Sequence, residues 1–199
     1  MKKPLAADYS KFIQDRLANK FSDLRNDKIL VVDSVNGKNC PKPIQDLLKL
    51  VESFSGHDPL NFPNPSHPAI IGMAKTKLSD YVLATELPVW RKVGTKLVTG
   101  HVDLVLLIGD TLFVCDYKPG DKANSNTKRF SHSFLMSLPQ VAAYSKLHRS
   151  QYNVKKIYCV TFNEDGRAWI YQDKVLNSLE NLLIAKGYSD WLIWNNYIF

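Results

Sequence analysis

Apolar residues along this chain recur in two rhythms, one helical and one of strands, and the order of the two predicts an α/β domain. Tyr9, Phe12, Ile13, Leu17, Phe21 and Leu24 fall at spacings of three and four, which predicts a helix over 8–26. A β-branched run from Ile29 to Val35 predicts a short strand that stops at Asn36-Gly37. Ile44, Leu47, Leu48 and Val51 predict a second helix from Lys42 to Phe54, closing at Gly56. His57 to Pro68 holds four prolines and no apolar period, so it is read as a connection.

Pro68 to Tyr81 then predicts a helix leading into a strand that contains Glu86. Two apolar runs on either side of Gly109-Asp110, spanning residues 97–118, predict a β-hairpin. A polar, basic stretch follows from Pro119 to Ser137. Pro139 to Arg149 is predicted as a helix that begins at its proline. A second hairpin is expected from Lys155–Phe162 and Arg167–Tyr171 around Asn163-Glu164-Asp165-Gly166. Asp173 is placed to cap a last helix ending at Gly187, before an apolar tail, Trp191-Leu192-Ile193-Trp194. That tail is expected to pack on the body or against a partner, including a second copy. The division expected is an N-terminal helical cap over 1–56, a connection over 57–67 and a core over 68–199.

The 199 residues suffice for one such domain, and 45% hydrophobic with 11% aromatic residues is a folded composition. No apolar run reaches the ~20 residues that span a bilayer, and no signal-peptide core is seen near the N-terminus. A soluble, intracellular protein without a membrane partner is the expectation. The net charge of +7 favours a polyanionic partner, of which nucleic acid is the common one. Cys40, Cys115 and Cys159 are scattered and form no Cys-x-x-Cys pair, so neither a zinc site nor a disulfide framework is expected. Cys115 and Cys159 lie in apolar strands and read as core residues.

The first hairpin carries the chemistry. If Ile108 pairs with Thr111 across the turn, counting outwards sets Asp103 opposite Asp116 and His101 opposite Lys118. Alternation then puts His101, Asp103, Asp116 and Lys118 on one face. Two facing carboxylates repel, and a hard divalent cation relieves that repulsion. Solvated charges at the end of an ordinary hairpin are the plain alternative.

Gly100-x-x-Asp103, then Asp116-x-Lys118, then Gln140-x-x-x-Tyr144 resembles the PD-(D/E)XK nuclease superfamily, most closely its RecB-like branch, over roughly residues 68–171. Val102 stands where the family's literal motif has proline. The resemblance implies a mixed central β-sheet flanked by helices, a restriction-endonuclease-like core, behind the N-terminal helical segment. It implies Mg²⁺ or Mn²⁺ held by Asp103, Asp116 and the backbone carbonyl of Tyr117, with Glu86 completing the set and His67 as a further ligand. Lys118 would place the attacking water, and Gln140 would bond near the metal or a substrate phosphate, with Tyr144 beside it. Three scattered cysteines do not supply the iron–sulfur cluster of some RecB-like enzymes. DNA contacts are expected from His101, Lys122, Lys128, Arg129 and Tyr144, with Phe130 and Phe134 as stacking rings.

The activity implied is a metal-dependent deoxyribonuclease, exo- or endonucleolytic, serving recombination, repair or viral genome processing beside helicase or recombination partners. A viral RNA endonuclease of the cap-snatching type shares the Asp and Asp-x-Lys elements. A third reading is a fold of this kind that only binds nucleic acid.

Overall fold

The structure, a computed structural model, describes residues 30–34, 40–55, 66–93, 95–119, 132–151, 154 and 156–185. In chain order the elements are β1 (Leu30–Ser34), α1 (Lys42–Ser55), α2 (His67–Lys77), β2 (Val82–Val93), β3 (Lys96–Ile108), β4 (Thr111–Tyr117), α3 (His132–Gln151), β5 (Lys156–Phe162), β6 (Arg167–Gln172) and α4 (Val175–Ala185). The strands form one mixed six-stranded sheet in the order β1-β6-β5-β4-β3-β2. Only β4 and β5 run parallel, and the long connection between them contains α3. A parallel pair requires such a crossover.

Side chains alternate along each strand, so each face of the sheet has its own partners. Leu104, Leu106, Phe113, Cys115, Tyr117, Val160, Phe162, Ala168 and Ile170 form one core with Ile44, Leu47, Leu48 and Val51 of α1 and Ile70, Ile71 and Ala74 of α2. On the other face lies α3. Its Phe134 meets Trp169 edge-on with ring centroids 5.2 Å apart, and its Ser145 Oγ lies 3.0 Å from Cys159 Sγ. The chain is an α/β protein with a mixed sheet flanked by helices, and no helix among the described residues is long and apolar enough to cross a membrane.

The hairpin register is the expected one: Ile108 faces Thr111, and the ladder runs to Leu104 opposite Cys115. Three expectations change. The 1–56 segment is no separate cap where it is described, because β1 pairs with β6 and α1 fills the same core as β3–β6. The helix expected to start at Pro139 starts at His132 and carries that proline inside. Burial of Phe134, Ser137 and Leu138 against the sheet explains the extension, since tertiary packing outweighs a local breaker. Phe134 is completely buried, so it is a core ring and no platform for bases. The helix expected over 8–26, the apolar tail at 191–194, Gly187, Phe130 and the basic residues Lys122, Lys128 and Arg129 lie outside the described residues.

Candidate metal centre

Pairing between β3 and β4 ends at Leu104 and Cys115. Past that point β4 stays with its parallel neighbour, as the Lys118 N–H donates to the Phe162 carbonyl at 2.8 Å. The β3 strand stays with β2, where Pro88 faces His101. The expected His101–Lys118 pair is therefore not formed. Into this fork projects Asp103, whose Oδ2 accepts the Tyr117 N–H at 2.7 Å. A side-chain oxygen thus takes over the acceptor's role where the ladder stops.

On its other side, β3 sets Asp103 beside an acidic neighbour. Thr85 faces Leu104 and Leu87 faces Val102, so the register places Glu86 across from Asp103. Glu86 has φ +49°, a left-handed conformation inside a strand. For a residue with a Cβ this costs on the order of 1–2 kcal/mol, a kind of strain that clusters at functional sites. Asp103 and Asp116 are the first residues beyond the last β3–β4 pair, so both carboxylates stand at the mouth of the fork and not in a paired row.

His67 arrives from α2. Ser66 stands at the N-cap with extended backbone, and Pro68 suits the first turn. His67 shares a helix face with Ile70, Ile71 and Ala74, and burial of those three against the sheet turns the imidazole onto the fork. Its Nε2 lies 2.8 Å from Asp103 Oδ2 and its Nδ1 3.1 Å from Glu86 Oε1. The ring also lies against Tyr117, with centroids 6.0 Å apart, and Tyr117 in turn packs on Phe162. A neutral imidazole donates from only one nitrogen. One carboxylate faces each ring nitrogen, so an ion on one nitrogen leaves the other to donate to the remaining carboxylate.

One ligand atom from each of His67, Glu86 and Asp103 fits within 4.8 Å of the others. Bonds of about 2.1 Å put adjacent donors of an octahedral ion about 3 Å apart and opposite ones about 4 Å apart. The limit of 4.8 Å is a little wider than those spacings, so the three groups could hold one ion once their side chains draw in around it.

Asp116 is not in that trio. It is buried and its Oδ2 lies 2.5 Å from Lys118 Nζ, an ion pair at the margin of the cluster. Burial pushes the Asp116 carboxyl up to about 6; Asp103 adds to the rise, and Lys118 opposes it. Tyr117 meets the cluster through its N–H, which donates to Asp103.

Gln140 and Tyr144 lie one turn apart on α3, and the Gln140 Nε2 donates to the Tyr144 hydroxyl at 3.1 Å. The phenol is pushed up by burial, and Asp116 and Asp103 add to the rise. Being buried, Tyr144 offers no ring face to a base. His101 is exposed on β3.

No family model matches the chain, and no curated protein matches it either.

Sequence reasoning missed the alignment of Glu86 with Asp103, although its signal was present. Val93-Gly94-Thr95-Lys96 has the form of a two-residue turn with glycine first. Pairing Val93 with Lys96, as in the structure, sets the whole β2–β3 register.

Proposed function

We propose that this chain is a divalent-metal-dependent nuclease that hydrolyses phosphodiester bonds in DNA, built on a restriction-endonuclease-like core and serving recombination, repair or viral genome processing. The observation that carries this reading is the donor trio of His67, Glu86 and Asp103 with the Asp116–Lys118 pair at its margin. Two carboxylates and an imidazole held close enough for one ion, beside a lysine anchored by a third carboxylate, suit phosphoryl chemistry. The basic net charge agrees with a polyanionic substrate.

Mg²⁺ or Mn²⁺ would be held by His67, Glu86 and Asp103, and when bound it supplies Lewis-acid stabilisation of charge on the phosphate oxygens. Lys118 positions the attacking water and meets the phosphate; Asp116 holds the ammonium in place. Gln140, tied to Tyr144, presents an amide from α3. The water oxygen bonds to phosphorus and gives up a proton to solvent, the ester P–O bond breaks, and the leaving oxygen takes up a proton from solvent. Lys122, Lys128 and Arg129 would grip the backbone and raise the salt dependence of binding.

Matched DNA and RNA oligonucleotides incubated with Mg²⁺ or Mn²⁺ test the proposal. Metal-dependent DNA cleavage that disappears in Asp103→Asn and Lys118→Ala is the expected result. Cleavage of RNA alone would move the reading to the cap-snatching type. Binding without cleavage of either polymer would leave only an interaction module.

A further inference from the structure

The β2–β3 ribbon leaves the body of the sheet where β4 turns away. From Asp103 to Lys96, the only described strand beside β3 is β2. Across the ribbon Thr99 faces Trp90 and His101 faces Pro88, and by alternation Leu97, Thr99 and His101 share one of its faces with them. The opposite face holds Val89 and Val102, both buried, and Gly100, against which Tyr144 of α3 packs. The face away from α3 is open: Pro88, Trp90, Leu97, Thr99 and His101 are all exposed. Trp90 is 61% exposed and Leu97 63%, and they are diagonal neighbours across the ribbon.

A tryptophan exposed on the same two strands that carry Glu86 and Asp103 calls for an occupant. Charge indicates which one. Arg91, Lys92 and Lys96 stand at the tip of the same ribbon, in a chain of net charge +7, so the partner is an anion with a flat apolar surface. An unpaired nucleobase on its phosphate backbone has both properties. Paired bases are stacked on one another and cannot lend a face to an indole without being unstacked.

We propose that the β2–β3 ribbon binds single-stranded DNA, with Trp90 as the stacking platform and Leu97 beside it, and so delivers an unpaired strand to the cluster. This deepens the nuclease reading and rests on it for the role of the cluster. Thr99, across from Trp90, lies four residues from Asp103, about 13 Å along an extended strand. The base on Trp90 therefore belongs to a nucleotide near the scissile one on the same strand.

The test is fluorescence anisotropy with a fluorescein-labelled oligothymidine and, in parallel, a labelled blunt duplex, at one salt concentration in EDTA so that nothing is cut. Trp90→Ala is expected to weaken single-strand binding about tenfold and leave duplex binding within about twofold, while Trp90→Phe keeps most of the affinity. Unchanged melting temperatures would exclude a folding defect, and an exposed position makes that outcome the expected one. Equal single-strand affinity in wild type and Trp90→Ala overturns the proposal. So does an equal loss on both probes, or no single-strand binding by the wild type. Cleavage is scored separately: cutting that persists with binding indifferent to Trp90 sinks the ribbon and spares the nuclease. Trp90-dependent binding without any cutting does the reverse.

Discussion

Gly100 and Tyr144 are fitted to one another: a Cβ at position 100 would overlap the tyrosine hydroxyl and lie 2.6 Å from its Cζ. No methyl group fits there unless Tyr144 moves. Since Gln140 donates to that hydroxyl, the glycine in β3 sets the position of an amide on α3. Gly100→Ala is expected to lower stability by about 1–3 kcal/mol and to reduce cleavage. Combining it with Tyr144→Ala should cost less than the sum of the two single losses, because removing the tyrosine relieves the overlap. Urea unfolding of the four proteins measures this, and full additivity would count against the fit.

Asp116 is kept at a cost in the folded state. Its carboxyl, pushed up to about 6 chiefly by burial, stays protonated in the folded chain over a range where the unfolded chain has already ionised. Between pH 4 and 6 the folded state therefore holds more protons, and rising pH removes stability. Above pH 6 the full penalty is present; below about 4 it has vanished. Asp116→Asn should accordingly be more stable than wild type at pH 8, by on the order of 1–3 kcal/mol, with the difference shrinking as the pH falls towards 4. Thermal melts across that range read it directly. A destabilisation that is constant with pH would show that ion pairing with Lys118 outweighs burial.

Glu86 separates backbone strain from ligand chemistry. At φ +49° glycine is at ease and a β-branched residue is not. Glu86→Val should be less stable than Glu86→Gly by about 1–3 kcal/mol. Mn²⁺ is expected to raise the melting temperature of wild type, and both variants should lose that rise, as should His67→Ala and Asp103→Asn. If Glu86→Gly keeps the full Mn²⁺ response, Glu86 is not a ligand.

The cysteines should be inert in the native protein. Cys40, Cys115 and Cys159 are all buried, and burial raises the thiols of Cys115 and Cys159. Modification by an aromatic disulfide reagent is expected to be limited by unfolding, with fast reaction of all three in denaturant. Rapid labelling of Cys115 under native conditions would mean that the sheet opens beside Asp116.

Local pattern was enough for much of this structure. The turn at Gly109-Asp110 gave the β3–β4 register, and the apolar period of α1 matched its face in the core. What depended on distant packing was not readable. His67 reaches Asp103 only because Ile70, Ile71 and Ala74 dock α2 on the sheet, and no spacing in the sequence encodes that docking. The pairing of β1 with β6 spans most of the chain and is invisible to a local window. The opposite error occurred at Pro139, where a local signal was trusted and packing overrode it. His101 and Lys118 were paired by carrying the hairpin too far, since nothing nearby shows that β4 leaves β3 for β5.

Two short spacings, Val93 to Lys96 and Ile108 to Thr111, act as rulers for acidic side chains some distance from either. Lengthening one by a single residue would send an acid to the wrong side of its neighbour, and by two would slide it nearly 7 Å out of line. The parts of this molecule least able to tolerate an insertion are thus surface turns, which elsewhere absorb insertions readily.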